Sequence, residues 1–169
     1  YSILAALLNR FSPQASFMLL DYASQFWKTQ DIRQMELAIR CLSVILLTVP
    51  DMVPMEGAQQ LFTVATHGIH HQRLRTKYFS AQLLLALLKL VYVDSSVVGV
   101  IWDDLCALFS LNDDINRMAI FILSKIPFLK GFTDFSLYTN QICILYQTLP
   151  RKQTPLLFHV FDFLSGSVS

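Results

Sequence analysis

Charge is scarce in this chain of 169 residues: 15% are Asp, Glu, Lys or Arg, and 13 basic against 12 acidic residues leave a net +1. That balance excludes a strongly basic nucleic-acid binder, whose affinity comes from neutralising phosphates. Five glycines and six prolines are too few for a loop-rich or glycine-loop enzyme, and the sequence has no GxSxG elbow, P-loop or GxGxxG. The three cysteines, Cys41, Cys106 and Cys143, lack CxxC spacing, which argues against a disulfide framework or zinc ribbon. With no N-x-S/T acceptor either, a reducing intracellular compartment, cytoplasm or nucleus, is expected. The longest apolar run, Ala81 to Val93, is interrupted by Gln82 and Lys89. It falls short of the roughly 20 residues a spanning helix needs, so no membrane insertion is expected. Tyr1–Arg10 has neither the basic start nor the cleavage site of a signal peptide.

What the chain has in quantity is apolar surface. A hydrophobic fraction of 54% supports a sizeable core and excludes a disordered tail. Tyr1 is not an initiator Met, and Ile3–Leu8 is already mid-helix in character, which predicts a piece of a longer polypeptide.

Apolar residues recur at three- and four-residue spacing along most of the chain, the period of an amphipathic helix. Caps and breaks divide it. Ser12-Pro13 opens a helix to about Lys28, and Asp31 caps another to Val49, stopped by Pro50. Pro54 or Met55 opens a third, ending near His70; Gln72 to about Val93 and Ser95 to Ser110 follow. Asp113 or Asp114 caps a helix to Ile126, halted by Pro127; Thr133 starts the next, to Leu149, and Thr154-Pro155 opens the last, to about Leu164. Connections of about two to six residues make neighbours antiparallel and adjacent.

Helices beginning near Asp31, Gln72, Asp113 and Thr154 start 41 residues apart, each preceded by a partner helix. Asp31-Ile32-Arg33-Gln34-Met35 parallels Asp114-Ile115-Asn116-Arg117-Met118, with Arg73-Leu74-Arg75 between them. A helix pair with this period resembles the HEAT and armadillo repeat families. Asp31-Ile32-Arg33 with Ala38 and Leu42, and Asp114-Ile115 with Ala119 and Leu123, are similar to the start of the second HEAT helix. The resemblance implies an all-α fold, an α-solenoid of about four stacked antiparallel helix pairs, at approximately 13–49, 55–93, 95–126 and 133–165. The whole chain, 1–169, is then a single helical-repeat segment. Ala81–Leu90, apolar nearly all round, fits such stacking because it must be covered on more than one side.

His67-Gly68-Ile69-His70-His71 is the one cluster with metal-like spacing, yet it has no HExxH pattern and no third ligand nearby. Histidines there complement a helix C-terminal dipole, and neither a metal nor another cofactor is expected. The basic turn continues as Arg73, Arg75 and Lys77. With His70 and His71 these residues are candidates for binding an acidic peptide, a phosphate or nucleic acid. Alternatively they form a ladder with Asp31 one repeat earlier and with Asp113 and Asp114 one repeat later. Asp103-Asp104 reads as a solvated face rather than a paired-carboxylate site, and the three cysteines as core packing. Phe121, Phe128, Phe132 and Phe135 fall on helical spacing and are expected in the core. Phe158, Phe161 and Phe163 are candidates for an exposed contact surface on the last helix.

No catalytic constellation is found. The function expected is therefore a non-catalytic scaffold, part of a larger multi-protein complex, that binds partner helices or peptides. The alternatives are an anion or nucleic-acid reader acting through His67–Lys77, and the helical part of a larger enzyme complex.

Overall fold

The computed structural model describes residues 30–48, 50–53, 55–109 and 112–155, together with Met18, Asp21, Gln25, Leu157 and Phe158. Among the described residues six α-helices carry the chain: α1 (Ile32–Thr48), α2 (Met55–Ile69), α3 (Leu74–Leu88), α4 (Ser96–Leu108), α5 (Asp113–Lys125) and α6 (Phe135–Thr148). Short 3-10 turns, Pro50–Met52 and Ile126–Phe128, follow α1 and α5. No strand forms among the described residues; Asp94 and Lys130 make an isolated bridge. The fold is all-α, as expected, and none of these helices is long and apolar enough to cross a membrane. The chain divides into two compact units, residues 1–93 and 94–169.

Helix starts follow side-chain chemistry. The Asp31 carboxylate accepts the Arg33 N–H at 2.9 Å, and that of Asp134 accepts the Leu137 N–H at 3.2 Å, satisfying donors the first turn leaves open. Asp94 accepts the Ser96 N–H and hydroxyl; these bonds, with the Lys130 charge, hold its carboxyl below the ordinary aspartate value. One expected cap is corrected: Asn112, rather than Asp113 or Asp114, closes the start of α5, accepting from the N–H groups of Asp114 and Ile115 at 3.1 and 3.0 Å. The two aspartates sit in the first turn, where their charge faces the positive end of the helix dipole. A second correction concerns α3, which stops at Leu88 instead of running to Val93. The chain turns back there, with the Leu90 and Val93 N–H groups bonded to Leu87 O and Leu90 O. That turn buries Leu90 and lets the Tyr92 hydroxyl donate to Val53 O at 2.9 Å. The helix expected from Ser12-Pro13 lies outside the described residues except for Met18, Asp21 and Gln25, which are helical. The last helix is described at Pro155, Leu157 and Phe158; Phe161 and Phe163 lie outside.

In the first unit α3 packs against both α1 and α2. Its all-round apolar sequence therefore has two partners, and Ala81, Leu83, Leu84, Ala86 and Leu87 are buried. Complete burial of each such leucine stabilises the unit by about 1.5–3 kcal/mol. The short connection after Ile69 makes α2 and α3 antiparallel. Contacts between α1 and α3 advance together, Glu36 with Thr76 and then Arg40 with Phe79, so these helices run parallel, N-termini side by side.

In the second unit α4 packs on α5, whose core face is Ile115, Ala119, Ile122, Leu123 and, just past its end, Ile126. The N-terminal ends of α4 and α6 are tied by the Ser95 N–H donating to Lys130 O at 2.9 Å, next to Gly131 in the left-handed region at φ +78. The start of α5 is tied to the start of the last helix in the same way. Asn116 Nδ2 donates to Gln153 Oε1 at 3.1 Å, Gln153 Nε2 donates to Asp113 O, and Lys152 pairs with Asp113.

Several expected core residues are not in the core. Phe121, Phe128 and Phe135 are exposed, and Phe132 is half-buried. Phe121 stands two residues beyond Ala119, about 200° round the helix, on the side away from the packed face. Cys143 is likewise exposed, while Cys41 and Cys106 are half-buried, and burial raises both of these thiols above their ordinary pKa.

Among the described residues of this unit Tyr138 is the largest fully buried side chain, and its hydroxyl donates to Leu123 O at 2.9 Å. Burial pushes the phenol above its ordinary pKa. A raised pKa means the folded state favours the neutral form. The contribution is complete below the unfolded value of about 10 and is lost as pH rises through the folded one. Tyr138→Phe should cost about 1 kcal/mol at neutral pH. In denaturant titrations, the gap between wild type and the variant should narrow as pH passes about 10. A gap independent of pH would show that this phenol does not titrate with unfolding.

Candidate functional site

Between the N-terminal halves of α1 and α3 lies a groove of about 530 Å³, lined by Arg33, Arg40, Arg73, Arg75, Glu36 and Phe79, with Leu37 at its side. Arg33, Glu36 and Arg40, at three- and four-residue steps, share one face of α1. Arg73 stands at the extended N-cap of α3, Arg75 is in its first turn, and Phe79 is one turn on.

Glu36 sits at the bottom, 6% exposed. It accepts from the fully buried Thr76 hydroxyl at 2.8 Å and pairs with Nε of Arg73 and of Arg75 at 3.5 and 3.8 Å. The Nε edges of both guanidiniums face Glu36, and each fork carries further N–H donors at its terminal nitrogens. The guanidinium carbons of Arg40 and Arg75 lie 5.3 and 5.5 Å from the centroid of the same Phe79 ring, within cation–π range. Two like charges thus share one ring, and two contact one buried carboxylate. Four guanidiniums against one carboxylate leave a local +3.

The expected site residues separate here. Arg73 and Arg75 are in the groove; His70 and Lys77 do not line it. His71 acts locally, its Nδ1 accepting the Arg73 N–H at 3.1 Å, which fixes the backbone entering α3. Among the described residues no three His, Cys, Asp or Glu side chains gather as a metal would require. Phe158 is exposed. Arg73 and Arg75 pair with Glu36, five residues beyond Asp31 and one turn into α1, an acid not among the expected ladder partners. Arg33, Glu36, Arg40 and Phe79 were not among the sequence candidates. Glu36 and Thr76 are 40 residues apart, and so are Arg33 and Arg73, which both line the groove.

A second concavity, of about 350 Å³, lies in the other unit between α4 and the start of α6. Val98, Trp102, Phe132, Leu137 and Tyr138 form its apolar walls, and Asp103 and Asp134 are its charged groups. Gly99 also lines it, exposed, and a Cβ built there meets nothing within 4 Å. A glycine inside a helix costs about 0.5–1 kcal/mol relative to alanine, and no packing contact requires it here.

Comparison with protein-family models, with curated proteins and with solved structures gave no match.

Proposed function

We propose that this chain is a non-catalytic segment of an α-solenoid that holds protein partners, and that the groove between α1 and α3 receives an acidic stretch of such a partner. The observation that carries this reading is the convergence of four guanidiniums from two neighbouring helices on one carboxylate and one ring. Arginines gathered on one face in this way are the form that recognises carboxylates.

The ties between helix starts support the solenoid part. Glu36–Thr76, Val53–Tyr92 and Asn116–Gln153 join residues 40, 39 and 37 apart, close to one expected repeat. Each lies at the beginning of a helix or just ahead of one, the place where successive repeats would meet. A patch of four arginines covers a few residues of an acidic peptide. It does not make the extended track that a nucleic-acid backbone follows.

The test is a titration of the chain with fluorescein-labelled hexaglutamate and, in parallel, a DNA duplex. The peptide should bind and weaken with added salt. Arg40→Ala with Arg75→Ala should weaken it by about tenfold or more while the helical circular dichroism stays intact. No peptide binding at low salt, or equal binding by the variant, would overturn the reading. Tighter binding to the duplex than to the peptide would replace it with the nucleic-acid alternative.

A further inference from the structure

We infer a second binding site, independent of the arginine groove: the concavity around Gly99 takes the ammonium-tipped side chain of a lysine from a partner polypeptide. Three features of the pocket specify that occupant. Its charged lining is anionic, Asp103 and Asp134, and no basic side chain lines it. Its accessible aromatic walls are Phe132 and Trp102 of α4, both half-buried, with Phe132 backed edge to face by the fully buried Tyr138 at 77° and 5.9 Å. Aromatic faces attract cations, and a four-carbon stem covers apolar wall on the way in. The third feature is the missing side chain. Gly99 leaves open space on an exposed helix surface where any other residue would place atoms at the pocket's edge.

The carboxylates have room for the role. Asp134 uses one oxygen to cap α6 through the Leu137 N–H, and the second is not needed for the cap. Asp103 lies on α4 next to Trp102 in sequence, one turn beyond Gly99. A neutral apolar chain of the same length would gain the wall contacts but leave both aspartates unanswered. An acidic side chain would be repelled. Charge and shape therefore select the same ligand class.

The probes are n-pentylamine and its neutral isostere n-pentanol, titrated into the full chain at neutral pH. The readout is the nitrogen–proton NMR signals of the Gly99 amide and the Trp102 indole. The amine should shift both signals saturably, with an affinity about tenfold above the alcohol. Asp103→Asn should bring the amine down to the level of the alcohol, and Gly99→Leu should remove binding of both with the helical circular dichroism unchanged. Equal affinity for alcohol and amine would show an apolar hollow without cation recognition, and overturn the inference. Amine shifts that survive both substitutions would place the binding elsewhere and overturn it as well. Hexaglutamate binding by the arginine groove is unaffected by either variant, so the two sites fail or stand separately.

Discussion

Gly68→Ala is expected to destabilise the first unit by about 3 kcal/mol and to lower its melting temperature on the order of 10 °C. Gly68 is the penultimate residue of α2 and is buried where α2 meets Ser80 of α3 and Ile39 of α1. A Cβ added there would stand 1.9 Å from Ser80 Oγ, 2.9 Å from Ser80 Cβ and 3.5 Å from Ile39 Cδ1. Rotating the serine hydroxyl relieves the first contact and leaves the second, so α2 and α3 must move apart. Alanine is the better helix former by about 1 kcal/mol, but overpacking a closed contact costs about 1–3 kcal/mol or more, and sterics win. Two companion variants make the cause visible. Ser80 is fully buried and its hydroxyl has no hydrogen-bond partner among the described residues, so Ser80→Ala alone should be neutral or stabilising by up to about 1 kcal/mol. Added to Gly68→Ala it should rescue little, because the Cβ remains, whereas Ser80→Gly should restore a large part of the loss. Gly68→Ala melting with wild type would show that the helices do not meet so closely.

This crossing could not be read from the sequence, where Gly68 stood between histidines and drew attention only as part of a metal-like cluster. What could be read was local. Asp31, Pro50 and Pro127 act on the backbone within a turn of themselves, and α1 and α5 start and stop close to where those residues place them. The leucine run of α3 announced two covering neighbours because no single stripe could bury it, and α1 and α2 are there. Failures arose where two nearby residues could do the same work. Asn112 and Asp113 are both capping residue types, and position relative to the first turn made Asn112 the cap. Phe121 and Ile122 both repeat at helical spacing, and only the neighbouring helices decide which faces inward. The site followed the same division. Arg73 and Arg75 stood out as a basic run, but their carboxylate, their ring and the two further arginines come from α1 and from deeper in α3, and that depends on the helix pairing.

Glu36 gives the second large effect, and stability and binding should respond to it in opposite directions. Glu36→Ala removes the acceptor of the Thr76 hydroxyl, a group with no access to water, at a cost of about 1–3 kcal/mol. It also leaves four guanidiniums around an empty centre. Breaking a fully buried ion pair costs about 3–5 kcal/mol, but Arg73 and Arg75 are half-exposed or more and sit at 3.5 and 3.8 Å, so most of that penalty is solvated away. The sum expected is about 3 kcal/mol, read as a shift in denaturant midpoint. Glu36→Gln separates the two contributions, since its amide oxygen still accepts from Thr76; it should cost only about 1 kcal/mol. Yet it raises the local charge of the groove from +3 to +4, so hexaglutamate should bind the glutamine variant more tightly than wild type, most clearly at low salt. A carboxylate that only competes with the ligand predicts that gain. One that is needed to hold Arg73 and Arg75 in place predicts a loss instead, because the forks would swing apart. Weaker peptide binding in Glu36→Gln, with the fold intact, would therefore mean that the buried acid organises the arginines, and that the groove depends on α1 for geometry as well as for charge.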